Sequence, residues 1–423
     1  MAKNGKTTVA PKLRFPMFHN APDWEMVPLE KVAKRVSTKN TDGKITRVLT
    51  NSAEYGVIDQ RDYFDRDIAG AGKVDGYYIV DVGDFVYNPR TSMIAPVGPI
   101  SRNNVGKGVM SPLYTVFRFI EKKTDFYEHF FKSTGWHSYV RNAASTGARH
   151  DRMSITIGSF MQMPVPTTDQ SEQQKIADCL ISLEELLAAQ RRKVEALKVY
   201  KRGLMQQLFP CEGEILPRLR FPEFASTGSW HSQKISSLLS KASFPVNIES
   251  EKFYREIGIR SHGKGVFHKD PVLGKTIGEK RVFQVVRDAL VLNIVFAWEQ
   301  AVATTSENEI GMIASHRFPM FVAKPGKCDV EYVKWFFLTK EGKRLMGVAS
   351  PGGAGRNKTL GQKEFENLEI PLPASVGEQA RIANCLSSFD AKIATETEQL
   401  NVLITQRNGL MQQLFPALEE MEA

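Results

Sequence analysis

Two groups of cationic and amide side chains have the chemistry needed to bind nucleic acid. Arginine and lysine neutralise phosphates, and arginine or asparagine can form paired hydrogen bonds with the major-groove edge of guanine or adenine. The candidate contacts are Arg90, Arg102, Asn103, Lys107, Arg149, His150 and Arg152 in the first half of the chain and Lys264, His268, Arg356, Asn357 and Lys358 in the second. A solvated loop without a ligand is the alternative interpretation of both groups.

Arg149 and Arg356 stand at nearly equivalent places in the two halves. Each follows a short run that contains glycine and alanine, and the two arginines are displaced by 207 residues. Small residues allow a backbone to approach a ligand closely. We therefore expect both arginines to contact DNA, either at a phosphate or at a guanine edge.

No catalytic motif accompanies these groups. Residues 352–359 are similar to a phosphate-binding loop, but Asn357 stands where GxxxxGK[ST] requires glycine. Residues 88–91 lack the Asn-Pro-Pro-aromatic cluster that holds an adenine amino group for methylation, and no GxGxxG or HExxH motif occurs. The four cysteines form no CxxC pair, so no metal site is expected. The sequence predicts a protein that binds rather than catalyses.

The composition is that of a basic globular protein. The 423 residues are 42% hydrophobic and 24% charged, with a net charge of +9. This charge favours a polyanionic partner, either nucleic acid or a membrane surface. The first twelve residues have no apolar signal segment, and the most apolar run, residues 289–298, is about half a membrane span. We expect a cytoplasmic protein without a membrane segment, and a buried strand over residues 289–298.

The elements that must position the candidate residues occur in two copies, displaced by 206 residues. The motifs LRFP, EQxxIAxCL and GLMQQLFP occur once in each half, and Trp24 recurs as Trp230. A displacement of this length indicates a duplicated domain of about 200 residues and excludes a short solenoid repeat. Two similar halves are expected to pack about a pseudo-twofold axis.

Each half ends in a long predicted helix, over residues 172–208 and 378–414. Apolar residues recur in both at alternating spacings of four and three, which predicts a coiled-coil seam. The expected twofold relation of the halves predicts that the two helices pair antiparallel. The seam residues are Ile176, Leu180, Leu183, Leu187, Val194, Leu197, Leu204 and Leu208 in the first helix and Ile382, Leu386, Phe389, Ile393, Leu400, Leu403, Leu410 and Leu414 in the second. The remaining seam positions hold Gln190, Lys201, Glu396 and Arg407, which either fix the register or face solvent.

The ends of both helices carry start and stop signals. Ser171 and Ser375 each stand three residues before Gln or Glu, which predicts a capping box at each start. Pro210 and Pro416 are expected to end the helices.

The predicted fold class is α/β (α+β), with two similar strand-rich domains separated by the pair of long antiparallel helices and related by internal pseudo-twofold symmetry. The edges of the two domains resemble each other, whereas their middles diverge. A shared frame that carries different loops indicates that the two halves bind different targets.

The repeated motifs resemble the specificity subunit of Type I restriction-modification systems, from Pro11 to Pro416. The resemblance implies target recognition domains over residues 1–168 and 217–375, spacer helices over 169–210 and 376–416, a linker over 211–216 and a tail over 417–423. It also implies a non-catalytic subunit that binds a bipartite site in double-stranded DNA.

The same resemblance implies the partners. Two adenine methyltransferase (modification) subunits that use S-adenosylmethionine are expected to bind this chain, and restriction/translocase subunits that use ATP and Mg join them for cleavage. No cofactor is expected in this chain itself.

Two alternatives differ in testable ways. A stand-alone DNA-modifying enzyme would transfer methyl groups without partners. A coiled-coil scaffold with incidental charge would lack the salt-dependent, sequence-specific DNA binding of a recognition subunit.

Overall fold

The computed structural model describes residues 7–63, 74–144, 151–211, 213–352 and 358–416. The chain divides into two compact units, one formed by residues 1–191 with 399–423 and the other by residues 192–398. The boundary between the units falls within both long helices. The first unit therefore takes its last elements from the end of the chain.

The first unit combines short antiparallel strands with helices. Its strands are β1 (Thr8–Val9), β2 (Trp24–Pro28), β3 (Ala33–Val36), β4 (Leu49–Ser52), β5 (Gly56–Asp59), β6 (Tyr78–Val80), β7 (Phe85–Tyr87), β8 (Ile100–Arg102), β9 (Gly108–Met110), β10 (Thr115–Phe119) and β11 (Pro164–Thr167). Its helices are α1 (Leu29–Val32), α2 (Gln60–Tyr63), α3 (Asp125–Lys132), α4 (His137–Ala143), α5 (Ile157–Met161) and the first part of α6 (Gln170–Leu208).

The second unit repeats this order of elements with different middles. Its strands are β12 (His231–Lys234), β13 (Leu239–Ala242), β14 (Phe253–Tyr254), β15 (Ile257–Ile259), β16 (Val266–His268), β17 (Val272–Leu273), β18 (Val282–Gln284), β19 (Ala289–Leu292), β20 (Val302–Thr304), β21 (Ile313–Ser315), β22 (Met320–Ala323) and β23 (Glu369–Leu372). Its helices are α7 (Ile235–Leu238), α8 (Gly274–Ile277), α9 (Val330–Phe337), α10 (Lys340–Val348), α11 (Gln362–Glu366) and the first part of α12 (Val376–Leu414).

Both units contain the same four-stranded antiparallel sheet. The strand order is β3-β10-β7-β8 in the first unit and β13-β22-β19-β20 in the second. In each unit two helices follow the sheet in sequence, and the strand that precedes the long helix pairs with an early strand, β11 with β2 and β23 with β12. The duplicated sequence therefore encodes a duplicated frame.

The apolar run over residues 289–298 forms a strand only at its start. Strand β19 ends at Leu292, and the side chain of Asn293 then accepts a hydrogen bond from Val295 N at 3.1 Å. An asparagine that bonds the backbone two residues ahead makes a turn. A 3-10 helix over Ala297–Glu299 completes the run. The prediction of one continuous strand is therefore wrong after Leu292.

The core of each unit contains the end of one long helix and the start of the other. In the first unit, Ile176 and Leu180 of α6 belong to the same buried cluster as Leu414 of α12. In the second unit, Leu208 of α6 is buried in one cluster with Ile382 and Leu386 of α12. The two helices therefore run antiparallel, as the twofold relation of the two halves predicts.

All apolar seam residues are at least half-buried. The buried ones are Ile176, Leu180, Leu187, Val194, Leu208, Ile382, Leu386 and Leu414, and the half-buried ones are Leu183, Leu197, Leu204, Phe389, Ile393, Leu400, Leu403 and Leu410.

The two polar seam residues of the second unit, Lys201 and Glu396, form ion pairs. Glu396 is buried and accepts Lys193 Nζ at 2.7 Å, and Lys201 pairs with Asp390. Of the two open interpretations, these pairs favour the one in which polar residues fix the register. Gln190 and Arg407, in the first unit, are half-buried.

A buried carboxylate joins the start of each long helix to the opening segment of its unit. Glu172 is fully buried and accepts Arg14 Nε at 2.6 Å, the Trp24 indole nitrogen at 3.1 Å and the Thr168 hydroxyl at 2.7 Å. We call this arrangement the carboxylate clamp.

The second unit contains the same clamp. Glu378 accepts Arg220 Nε at 2.6 Å and the Trp230 indole nitrogen at 3.4 Å. The arginine of each LRFP motif, the repeated tryptophan and the glutamate of each EQ pair therefore recur in the sequence because they meet in space.

The predicted capping boxes are only partly present. Helix α6 begins before Ser171, whose backbone nitrogen donates to the Asp169 side chain at 2.8 Å, so Asp169 is the cap. Ser375 does cap α12, through a hydrogen bond from Gly377 N at 3.2 Å, but the Glu378 carboxylate bonds to Arg220. The capping-box prediction is wrong for Ser171. At Ser375 the serine caps the helix as predicted, but Glu378 does not complete the box.

The seam predicts that replacing two adjacent leucines by aspartate changes the free energy of unfolding by very different amounts. Leu187 is 5% exposed and Leu186 is 50% exposed. Replacing Leu187 by Asp leaves an unpaired charge in the seam and should lower the free energy of unfolding by about 3–5 kcal/mol. Leu186→Asp is the matched control and should change it by less than about 1 kcal/mol. Denaturant unfolding measures both, and similar losses in the two variants would contradict the seam.

The clamp predicts a pH-dependent loss of stability on replacing Glu172 by Gln. Burial alone would raise the pKa of Glu172, but the hydrogen bonds from Arg14, Thr168 and Trp24 together lower it. A lowered folded-state pKa adds stability above the pKa of the unfolded chain, and this stability is lost as the pH falls through the folded-state pKa. Glu172→Gln should cost about 3 kcal/mol at pH 7, and the difference from wild type should shrink below about pH 4.3.

The control for this experiment is Glu185→Gln, the same substitution at an exposed position of the same helix. Chemical denaturation at several pH values gives the result. A constant difference between Glu172→Gln and wild type from pH 7 to pH 3 would show that the carboxylate charge does not stabilise the clamp.

Candidate nucleic-acid interface

A tightly turned basic loop follows strand β15 in the second unit. His262, Gly263 and Gly265 have positive φ angles of 59°, 65° and 77°. The nitrogen of His262 donates to Glu299 O at 2.8 Å, which fixes the loop to the 3-10 helix. Left-handed backbone at a non-glycine residue is strained, and such strain is concentrated at binding sites.

Close packing fixes the shape of this loop. A Cβ atom at Gly263 would lie 2.6 Å from Leu338 Cδ2, so a larger residue would displace either the loop or the leucine. Lys264, at the exposed turn, is thereby presented on a rigid support. Such a lysine can contact a phosphate with little loss of conformational freedom in the backbone.

An aromatic residue lies beside the same loop. Lys358 Nζ is 5.5 Å from the centre of the half-buried Trp298 ring, within cation–π distance. Trp298 directly precedes Glu299, whose carbonyl holds His262. The loop that contains Lys264 is therefore bonded to the residue next to Trp298, and we call Lys264, Trp298 and Lys358 the second-unit cation surface. Sequence reasoning missed Trp298 because it ends an apolar run that was interpreted as a strand.

His268 is not part of this surface. Its Nε2 atom lies 2.7 Å from Glu309 Oε1, and Glu309 also caps a short helix through Ser306. Burial alone would raise the pKa of Glu309, but hydrogen bonds from Ser306 and His268 lower it. His268 is therefore an exposed residue whose ring is engaged by the buried carboxylate of Glu309.

In the first unit, two chain segments bring Arg90 and Arg152 together. These residues face each other in an antiparallel bridge, and Thr91 N donates to Asp151 O at 2.9 Å. A Cβ atom at Gly98 would collide with the carbonyl oxygen of Asn88, so glycine is required for this packing. Arg90 is exposed and Arg152 half-exposed, which leaves both near solvent.

The remaining candidates of the first unit are held by other groups. Arg102 donates to Asp125 at 2.7 Å, and Lys107 pairs with Asp81 at 3.2 Å. Asn103 is fully buried, and its amide donates to two backbone carbonyls while its oxygen accepts from Val105 N. Asn103 therefore shapes a turn and has no donor left for a base edge.

Four candidates lie outside the described residues: Arg149, His150, Arg356 and Asn357. Their described neighbours, Arg152 and Lys358, lie in the two surfaces above. The predicted contacts of Arg149 and Arg356 with DNA therefore stay predictions.

The described ranges contain neither a membrane-spanning helix nor a cluster of metal-binding side chains. No helix there is long and apolar enough to cross a membrane. Within the same ranges, no group of three or more His, Cys, Asp or Glu side chains has a geometry suited to a metal ion.

Comparison with known proteins identifies the family that these features resemble. Residues 292–406 match the family described as the type I restriction modification DNA specificity domain. A segment of 54 residues is 46% identical to the type I restriction enzyme MjaVIII specificity subunit of Methanocaldococcus jannaschii, over 13% of this chain and 12% of that protein. A segment of 121 residues is 28% identical to a protein named as the MjaX specificity subunit of the same organism, over 26% of this chain and 28% of the other.

The fold is similar to that of a solved specificity subunit. The crystal structure of the S subunit of a type I restriction-modification system from M. genitalium matches with a TM-score of 0.55 and 13% identity, over 97% of this chain and 100% of the other. The predicted fold class is therefore confirmed. The predicted resemblance to type I specificity subunits is confirmed as well, although the matched segments span only 12% and 28% of the two curated relatives.

The second-unit cation surface predicts a specific salt response. Replacing Lys264 or Lys358 by Ala should weaken binding to all DNA sequences about equally and reduce the slope of log K against log salt by about one for each phosphate that the variant no longer neutralises. Lys327→Ala, at an exposed position before α9, is the control and should leave the slope unchanged. DNA binding measured at several salt concentrations decides between these outcomes. An unchanged slope in both variants would exclude the two lysines as phosphate ligands.

Proposed function

We propose that this chain is the non-catalytic DNA-specificity subunit of a type I restriction-modification complex. The match of residues 292–406 to a DNA specificity domain carries the proposal. The net charge of +9 and the basic loops supply the attraction to phosphates that such a role needs. The absence of catalytic motifs from the sequence agrees with a subunit whose chemistry belongs to its partners.

Each unit is proposed to read one half of a bipartite site in double-stranded DNA. The two frames are alike, but two hairpin turns at equivalent places in the units carry different side chains. The connection between β4 and β5 contains the exposed Glu54 and Tyr55, whereas the connection between β15 and β16 contains Arg260 and Lys264. Different side chains on one frame select different base edges. The two half-sites should therefore differ in sequence, with an unread spacer between them.

The proposed partners follow from the duplication. Two similar units offer two similar surfaces, so two copies of one methyltransferase subunit can bind one chain. In this proposal the methyltransferase subunits bind S-adenosylmethionine, and the restriction/translocase subunits bind ATP and Mg. The complex acts in the cytoplasm, where the DNA is.

The most direct experiment compares DNA methylation in the host with and without this gene. The proposal expects one interrupted adenine-methylated sequence that disappears with the gene and returns when the gene is restored. Methyl transfer by the purified chain alone would instead identify a stand-alone enzyme. Equal affinity for all DNA sequences would instead support a scaffold with incidental charge.

The division of labour between the units predicts that some substitutions affect only one half-site. Met93 and Ile94 are 102% and 67% exposed beside Arg90, and apolar side chains can contact the thymine methyl group. Replacing both by Ser should relax one or two positions of one half-site, at about 1–3 kcal/mol per position, and leave the other half-site unchanged. Selection of bound DNA, or the methylated sequence itself, gives the measurement.

Ile120→Ser is the matched control, because Ile120 is also an apolar residue of the first unit and is 59% exposed. It should leave both half-sites as they are. Equal changes in both half-sites after substitution of Met93 and Ile94 would contradict the assignment of one half-site to each unit.

A further inference from the structure

The last eight residues of the two long helices are identical, GLMQQLFP at residues 203–210 and 409–416. The leucines belong to the seam, and proline ends each helix, so folding accounts for these positions. Folding does not account for the glutamines at 206, 207, 412 and 413, whose side chains are exposed. Of these four, only Gln206 and Gln412 line the two grooves described below. Exposed residues that stay the same in two otherwise divergent units point to a shared external contact.

In the second unit, Gln206 lines a groove of about 610 Å³. Met205 and Phe209 form its apolar floor, and Leu338 closes one side. Arg202 and Lys340 are basic side chains at its rim. Arg218, also at the rim, is paired with Glu214 at 3.2 Å, and the acidic lining residue Glu341 is paired with Arg344.

The first unit contains the equivalent groove, with a volume of about 480 Å³. Met411, Gln412 and Phe415 take the places of Met205, Gln206 and Phe209, at the displacement of 206 residues that relates the two halves. Lys12 lines this groove at the position of Arg218 in the other. No acidic residue lines it among the described residues.

An exposed leucine stands next to each groove. Leu13 is 40% exposed and Leu219 is 39% exposed, and each directly follows the basic residue of its rim. The nitrogen of Leu13 donates to Gln413 O at 3.0 Å, and that of Leu219 donates to Gln207 O at 2.9 Å. The opening segment of each unit is therefore fixed against the last turn of the helix, so that leucine, groove and cationic rim form one continuous surface.

We propose that these two grooves are equivalent docking sites for two copies of one protein partner, each of which inserts an amphipathic segment with an apolar anchor and acidic flanks. The apolar floor suits a large aliphatic or aromatic side chain, which supplies most of the affinity at protein interfaces. The cationic rim suits carboxylates and disfavours basic segments. A nucleic acid backbone would gain nothing from a floor of methionine and phenylalanine.

This inference rests on the proposed function, in which the partner is the methyltransferase subunit. It adds where that subunit docks and what chemistry its docking segment has. The number of partner copies then equals the number of intact grooves, because each unit contains one.

The test introduces a negative charge into each groove of the full-length chain. Gln206→Glu and Gln412→Glu should each weaken methyltransferase binding at one groove by at least about tenfold, because the new carboxylate repels the acidic flanks. At a methyltransferase concentration above the wild-type Kd and below the weakened one, the assembly should fall from two copies to one in each single variant and to none in the double variant. Analytical ultracentrifugation or native mass spectrometry measures this number.

The neighbouring glutamines provide matched controls. Gln207 and Gln413 are exposed on the same helical turn but line neither groove. Gln207→Glu and Gln413→Glu should keep two methyltransferase copies. Thermal unfolding of all variants should match wild type, because glutamate is a good helix former at exposed positions.

The possible outcomes separate this inference from the proposed function. Two bound copies in the double variant, with sequence-specific DNA binding retained, would overturn the docking sites and leave the proposed function intact. A loss of DNA affinity without a loss of methyltransferase would identify the grooves as nucleic acid contacts and overturn the inference. A wild-type complex with no sequence-specific DNA binding would instead refute the proposed function.

Discussion

The carboxylate clamp is the constraint on which each unit depends. Moving a carboxylate from water into the protein interior costs several kcal/mol of free energy unless hydrogen bonds compensate for the lost solvation. Glu172 and Glu378 are both fully buried, and each is compensated by an arginine from the opening segment and by a tryptophan, Trp24 at the start of β2 or Trp230 directly before β12. Opening segment, strand and long helix can therefore reach their native positions only together. The clamp thus couples the folding of these three segments within each unit.

The clamp also explains where the two halves of the sequence agree. Arg14 and Trp24 recur as Arg220 and Trp230 because both copies must satisfy the same buried charge. No such demand acts on the turns between β4 and β5 and between β15 and β16, whose side chains Glu54, Tyr55, Arg260 and Lys264 are exposed. A protein built in this way can change what it binds without changing how it folds. That separation is what a recognition subunit with two different half-sites requires.

Sequence reasoning succeeded where one physical rule dominates. The long helices extend only two residues beyond the predicted starts, because a seam spaced by four and three along the whole of each helix leaves no alternative. Sequence reasoning failed where a polar side chain forms a hydrogen bond with a nearby backbone nitrogen and so changes the local structure. Asn293 turned an apolar run away from the sheet, and Asp169 replaced Ser171 as the helix cap.

The sequence predicted which types of side chain form the candidate site, but it predicted only in part where those side chains lie. The sequence identified Lys264 and Lys358, which lie in one surface, and Arg90 and Arg152, which lie in another. It could not reveal that Asn103 is buried or that Glu309 engages His268, because these contacts join segments far apart in the chain. The left-handed conformation of His262 could not be predicted from the sequence either, because only a few per cent of non-glycine residues adopt it, although histidine is among the more frequent of these.

The division of the chain into units also bears on protein synthesis. Domains usually fold in the order in which they leave the ribosome. Here the second unit is a continuous segment, residues 192–398, whereas the core of the first unit includes Met411, Leu414 and Phe415. The part of the chain that is made first is therefore completed last. Until then the cluster that contains Ile176 and Leu180 lacks Met411, Leu414 and Phe415, and a newly made chain leaves that part of its core exposed to solvent.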